Sequence, residues 1–287
     1  MVDIFPVKVP EDEDFLKRPY FAYGIFKKGQ LAHSKIRDCV DKIEIDEIPR
    51  KMLIKDGIPL IINEYSEKIT KGHKIYFKRG MAKKAYKRIS DTEPEKIYKW
   101  DTIHIDGEEF NILVGINEGG TFEYVDKHKN YIEDFDGLKD PFFSGVTEFI
   151  RNELKNLKLD DENYIFKIQM YYMLIWSAID RYCSLKYDVS SDQGSYLNEL
   201  SNDKIFNDAL DDLDLKGRNK IQSARDGGNF YYNLSRSNYI VNFYYTIRSN
   251  VVHRGKEAGN RIDELENSLD DLLNIFDYMI EKTFADD

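Results

Sequence analysis

The chain has 287 residues, 41% of them hydrophobic and 33% charged, with a net charge of −10 at neutral pH. That balance excludes a disordered chain, and the acidic total excludes the overall basic character of a dedicated nucleic-acid binder. Cys39 and Cys183 match neither a disulfide nor a zinc spacing, so no metal or other cofactor is expected. Asp3 and the acidic run 11–14 do not suit a signal peptide. The longest apolar stretch, 171–179, is too short to span a bilayer. These features point to a cytoplasmic protein with no membrane partner.

In chain order, residues 1–18 form a charged, proline-containing extension. Residues 20–23 are a short aromatic strand that stops at Gly24. A short helix is expected within 31–43. Strands at 52–54 and 60–62 flank the turn 56–59, and 73–78 alternates as a strand does. A helix over 82–90 ends before Pro94. Strands 98–105 and 110–114 pair around Asp106-Gly107, a strong hairpin signal. Many short strands with few helices imply a small, closed or strongly curved sheet. The glycine-rich stretch 115–137 breaks the pattern, as an inter-domain linker would. Beyond Pro141 everything reads as helix. A long apolar helix spans 164–187 with Asn163 as its expected N-cap, a shorter polar element covers 208–214, and further helices span 239–253 and 263–284.

Charge is uneven along the chain. Residues 68–90 hold nine Lys or Arg and no Asp or Glu. Such a patch can bind polyanions despite an acidic total, or it is a solvated hairpin and helix face.

The segment 247–255, Ile-Arg-Ser-Asn-Val-Val-His-Arg-Gly, places Arg248 and His253 five residues apart near a helix end. Five steps of about 100° put them roughly 140° apart, a gap that a long arginine side chain can bridge. A helix C-terminus favours a cationic imidazole. A protonatable histidine beside a guanidinium suits cleavage of an RNA phosphodiester, the histidine moving protons and the arginine holding the phosphate. Spacing alone favours the plainer reading, dipole complementation and capping of the helix end. The segment resembles the arginine-to-histidine motif of the HEPN superfamily, in particular its Apea-like branch, and 179–187 resembles that branch's central helix. The resemblance covers about 146–285. It implies a dimeric helical bundle with Arg248 and His253 of both subunits lining one cleft, Ser249 and Asn250 beside them, and metal-independent cleavage of RNA in defence or toxin systems. Ser249 stands where the family usually has Asn, Asp or His. Asp180 is either an acidic helper facing the cleft or a helix-pairing residue.

At the other end, Tyr23-Gly24-Ile25-Phe26 follows a strand, and consecutive N–H groups at such a turn can hold a carboxylate or phosphate. Glu93 precedes Pro94 after a helix. The blocks 21–24, 28–33, 57–59, 72–76 and 89–93, with Tyr98, resemble the gamma-glutamylcyclotransferase-like (AIG2-like) family over about 19–115. The resemblance implies a small mixed β-barrel with a cavity. It also implies binding of a substrate α-carboxylate by Tyr23, Gly24, Ile25 and Phe26, and Glu93 as the acid–base catalyst that releases 5-oxoproline. Ile25 stands in place of the usual Ser or Thr, and Pro94 in place of a common Gly.

The expected fold is therefore α+β, with four segments. Residues 1–18 are an extension, 19–115 a gamma-glutamylcyclotransferase-like β-barrel, 116–145 a linker and 146–287 an all-α HEPN-like bundle. The expected function is a metal-independent RNA endonuclease, homodimeric through the helical domain, with a small-molecule ligand in the N-terminal cavity regulating it. The alternatives are a gamma-glutamyl cyclotransferase with a HEPN dimerisation module, and a non-catalytic ligand-sensing protein.

Overall fold

Two adjacent residues with positive φ, Asp106 at 52° and Gly107 at 85°, close the hairpin between β4 (Tyr98–Ile105) and β5 (Glu108–Gly115). Both conformations suit a two-residue primed turn, for which Asp-Gly is a preferred pair. The computed structural model describes residues 5–55, 58–116, 131–159, 162–187, 193–215, 220–223, 227–231, 237–254 and 262–285. They form two units, 1–140 and 141–287, in a mixed α+β chain.

The first unit holds a six-stranded sheet in the order β4-β5-β1-β3-β2-β6. β1 (Tyr20–Ala22) lies between an antiparallel neighbour, β3 (Ile58–Phe77), and a parallel one, β5. β2 (Val40–Lys55) and β3 form a long antiparallel ribbon with register shifts on either side of Arg50. β6 (Tyr131–Ile132) pairs with Met52 and Leu53 of β2. Among the described residues no pairing of β6 with β4 closes the sheet, so it is open where a closed barrel was expected. The exposed reach of β2 carries Asp41, Glu47 and Pro49, residues that discourage pairing of an open edge with another chain.

The ribbon is longer than the separate short strands expected, and the helix expected over 31–43 is only α2 (His33–Ile36) followed by a 3-10 turn at Arg37–Cys39. α3 (Ala82–Thr92) buries Ala85, Tyr86 and Ile89. The Tyr86 ring packs among Phe15, Tyr20, Phe77 and Trp100. Its hydroxyl donates to the Arg18 carbonyl at 2.7 Å and accepts from Asn111 Nδ2 at 2.9 Å. The buried Tyr86 hydroxyl is thereby satisfied. Residues 131–140, assigned to the linker from sequence, belong to this unit.

The second unit is mostly helical: α4 (Pro141–Ser144), α5 (Val146–Asn156), α6 (Tyr164–Lys186), α7 (Gln193–Asn202), α8 (Lys204–Asp212), α9 (Ser237–Arg254) and α10 (Ile262–Phe284). α6 buries Tyr172, Trp176 and Tyr182. A chain of hydrogen bonds fastens three helices together. Tyr172 Oη on α6 donates to the Tyr244 carbonyl on α9 at 2.9 Å, and Tyr244 Oη donates to Asp271 on α10 at 3.0 Å. Two expectations need correction. Asn163 makes no side-chain cap on α6, because its backbone is not in the extended conformation a capping side chain needs. A two-stranded hairpin, β7 (Lys220–Gln222) with β8 (Asn229–Tyr231), interrupts the helices. Among the described residues no helix is long and apolar enough to cross a membrane.

Candidate functional site

The N-terminal site begins with a proline. Pro94 disfavours helical geometry at the residue before it, and Glu93 is extended at φ −104°, ψ 129°, ending α3. Its N–H still reaches the Ile89 and Ser90 carbonyls, and its own carbonyl accepts from Val7 N at 2.9 Å. The backbone of Glu93 is thus held on both sides while its half-buried side chain borders a pocket.

The same pocket is lined by Tyr20, Tyr23, Gly24, Ile25, Phe26, Pro59, Tyr98 and Leu113, and holds about 230 Å³ of empty space, mouth included. After β1 the chain turns over residues 24–27, with Lys27 N donating to the Gly24 carbonyl at 3.0 Å. Among the described residues the backbone N–H groups of Gly24, Ile25 and Phe26 donate no hydrogen bond. Two tyrosines tie the walls together. Tyr23 Oη donates to the Leu113 carbonyl at 2.7 Å, and Tyr98 Oη to the Pro59 carbonyl at 2.5 Å. Burial, with the Glu93 charge second, pushes the Tyr20 and Tyr23 phenols well above their ordinary range, so both stay protonated at neutral pH.

Five residues singled out from sequence, Tyr23, Gly24, Ile25, Phe26 and Glu93, therefore meet around one small pocket. Tyr20, Pro59 and Leu113 were not foreseen as part of it. Tyr20 sits in an aromatic run that reads as core, and nothing in the sequence separates it from Phe21.

In the helical unit, Arg248, Ser249 and Asn250 are partly buried on α9. The Arg248 guanidinium lies 5.7 Å from the centroid of the Tyr245 ring, which stacks edge-on against Trp176. Arg248 Nε is shielded from solvent, and among the described residues it has no hydrogen-bond partner. Asp180 on α6 feels the Arg248 charge and accepts a 2.7 Å hydrogen bond from Tyr196 Oη on α7. Burial pushes the Asp180 carboxyl up, against the pull of Tyr196 and Arg248. Arg248 and Asp180 thus share one neighbourhood. His253 is in the last turn of α9, and its side chain lies outside the described residues.

The basic stretch is less available than its sequence suggests. Lys71 pairs with Glu133, Lys74 with Asp46 and Asp106, Lys84 and Arg88 with Asp38, and Lys87 with Asp91. Five of the nine cations are thereby neutralised by acids from outside or at the edge of the run. Among the described residues no three His, Cys, Asp or Glu side chains are grouped to hold a metal ion. Compared with family models, with curated proteins and with solved structures, the chain gives no match to any.

Proposed function

We propose that the N-terminal unit binds a small γ-glutamyl compound and converts it to 5-oxoproline. The observation that carries this reading is the convergence of the 23–26 turn and Glu93 on one pocket. Unengaged N–H groups at a turn suit a carboxylate. No Lys or Arg lines the pocket, so the backbone is what would hold the ligand's α-carboxylate. Glu93 then takes a proton from the α-ammonium group, and the freed amine attacks the γ-carbonyl carbon. The attacking nitrogen gives up a second proton as it becomes the lactam N–H, and the departing nitrogen takes up both protons, leaving as an ammonium group when the old C–N bond breaks. The products are 5-oxoproline and the released amine, with no net proton change on Glu93.

The test is incubation with γ-glutamyl-alanine and detection of 5-oxoproline, alongside Glu93→Gln. Turnover lost in the variant supports the reading. A wild-type protein with neither turnover nor affinity for 5-oxoproline sinks it.

The helical unit favours a second activity, HEPN-type cleavage of RNA without a metal ion. The observation behind it is the Arg248 guanidinium, partly buried with an Nε that has no hydrogen-bond partner among the described residues. Phe166 and Met170, one turn apart on α6, and Phe149 on α5 are exposed, apolar side chains of the kind a homodimer covers. In this reading the N-terminal pocket is a sensor or regulator, in a defence or toxin setting. RNA cleavage in EDTA that leaves 2′,3′-cyclic phosphates and is abolished by His253→Ala supports it. Equal cleavage by both proteins removes His253 from the chemistry. If neither activity is found but ligand raises thermal stability, the chain is a non-catalytic sensor.

A further inference from the structure

The pocket contains one polar group that the scheme above leaves unused. Tyr20 is only 3% exposed, yet its side chain lines the pocket beside Glu93. Its ring is held edge-on by Phe26, Tyr86 and Trp100. Tyr23 and Tyr98 spend their hydroxyl protons on backbone carbonyls of the pocket wall. The Tyr20 hydroxyl makes no hydrogen bond among the described residues. A hydroxyl at the border of a cavity with no protein partner keeps its donor for a ligand.

The rest of the lining narrows what that ligand atom is. Phe26, Pro59 and Leu113 present carbon, and Glu93 is an acceptor when ionised. Apart from the N–H groups of the 24–26 turn, the Tyr20 phenol is the donor available to a ligand in the pocket. Its proton is retained at neutral pH, since burial and the Glu93 charge both oppose ionisation.

We propose that Tyr20 is a substrate-binding residue that donates a hydrogen bond to the carbonyl oxygen under attack, and so selects ligands carrying an uncharged acceptor at that position. The inference rests on the cyclotransfer reading of the pocket. When the amine adds to the γ-carbonyl carbon, the π electrons move onto the oxygen. A fixed donor there stabilises the oxyanion more than the ground-state carbonyl, and lowers the barrier. The electrons return as the C–N bond breaks, and Tyr20 keeps its proton throughout.

The test is Tyr20→Phe, read in three ways: melting temperature, steady-state turnover of γ-glutamyl-alanine, and binding of 5-oxoproline by calorimetry. Because the hydroxyl bonds to no protein group, its removal leaves the melting temperature unchanged or slightly higher. Loss of one oxyanion donor lowers kcat by about 100-fold, with a smaller effect on KM. Affinity for 5-oxoproline, which carries the corresponding carbonyl, falls as well. A wild-type protein that is active while Tyr20→Phe matches it in kcat and in affinity overturns the inference and leaves the pocket reading standing. A variant that melts lower in proportion to its lost activity also overturns it, because the hydroxyl is then structural. A wild type that neither turns over the dipeptide nor binds 5-oxoproline overturns both.

Discussion

Pro59 Cγ lies 2.8 Å from the point that a Cβ on Gly24 would occupy. No real Cβ tolerates that contact, so the turn after β1 can lie against β3 only with glycine at position 24. Pro59 cannot yield easily, because its carbonyl is held by Tyr98 Oη at 2.5 Å. Gly24→Ala therefore forces either the turn or the Pro59–Tyr98 tie to move. We expect a stability loss of about 1–3 kcal/mol, as for other overpacked sites, together with loss of 5-oxoproline binding. Chemical denaturation and calorimetry on the same preparation measure the two effects.

The β4–β5 turn tests backbone strain in isolation. A Cβ at Gly107 would meet no atom within 4 Å, yet its φ of +85° is one that side chains rarely adopt. Gly107→Ala is thus free of steric clash and should cost about 1–2 kcal/mol through conformation alone. A denaturation midpoint unchanged from wild type would mean that the turn can refold into another type without penalty.

These two glycines illustrate how unevenly the fold can be read from sequence. Asp106-Gly107 is legible because a two-residue turn demands both positive φ values, and few dipeptides supply them. The 40–77 ribbon is less legible, because Pro49, Gly72 and many charges interrupt any alternating pattern, and tertiary packing overrides them. At Gly72 the sheet needs the absence of a side chain, since a Cβ there would fall 2.6 Å from the Ala22 carbonyl. The β7–β8 hairpin gives little periodic signal, with three residues per strand. At the candidate sites, the 23–26 turn and Glu93 were legible through a family resemblance, and Tyr20 was not, because an aromatic residue in a buried strand gives no sign that its hydroxyl faces a cavity. The basic run 68–90 misleads for a related reason. Asp38, Asp46, Asp106 and Glu133, which pair with it, are brought in by the fold from distant positions.

Asp38 provides a pH prediction. Lys84 and Arg88 on α3 reach its two carboxylate oxygens at 2.8 and 2.6 Å. The Lys84 hydrogen bond is the largest cause that lowers its pKa from 3.8 to about 2. A carboxyl depressed by folding contributes stability that is fully present above its unfolded pKa. That contribution is lost as pH falls through the interval from 3.8 toward about 2. The side chain is half exposed, so the effect is small. Unfolding midpoints measured from pH 5 downward should fall less steeply for Asp38→Asn than for wild type, with the two curves converging at the acid end. Parallel curves would show that the pair contributes nothing to folding.

Arg248 allows stability and function to be separated in the helical unit. Its Nε is shielded from water without a hydrogen-bond partner among the described residues, an arrangement that costs roughly 1–3 kcal/mol. Its aliphatic stem and its position over Tyr245 can be matched by a methionine of similar length. Arg248→Met should therefore leave the melting temperature unchanged or raise it, because the unpaired donor disappears while the packing stays. Cleavage of RNA, if the guanidinium stabilises phosphate charge in the transition state, should fall by about 100-fold or more. Arg248→Lys distinguishes charge from geometry, since an ammonium keeps the charge but cannot present the planar fork to a phosphate. A large drop in stability in Arg248→Met would instead mean that the arginine's charge holds α9 to the partly buried Asp180 carboxyl. The residue would then be a structural one, and the case for an anion at this site would fail with it.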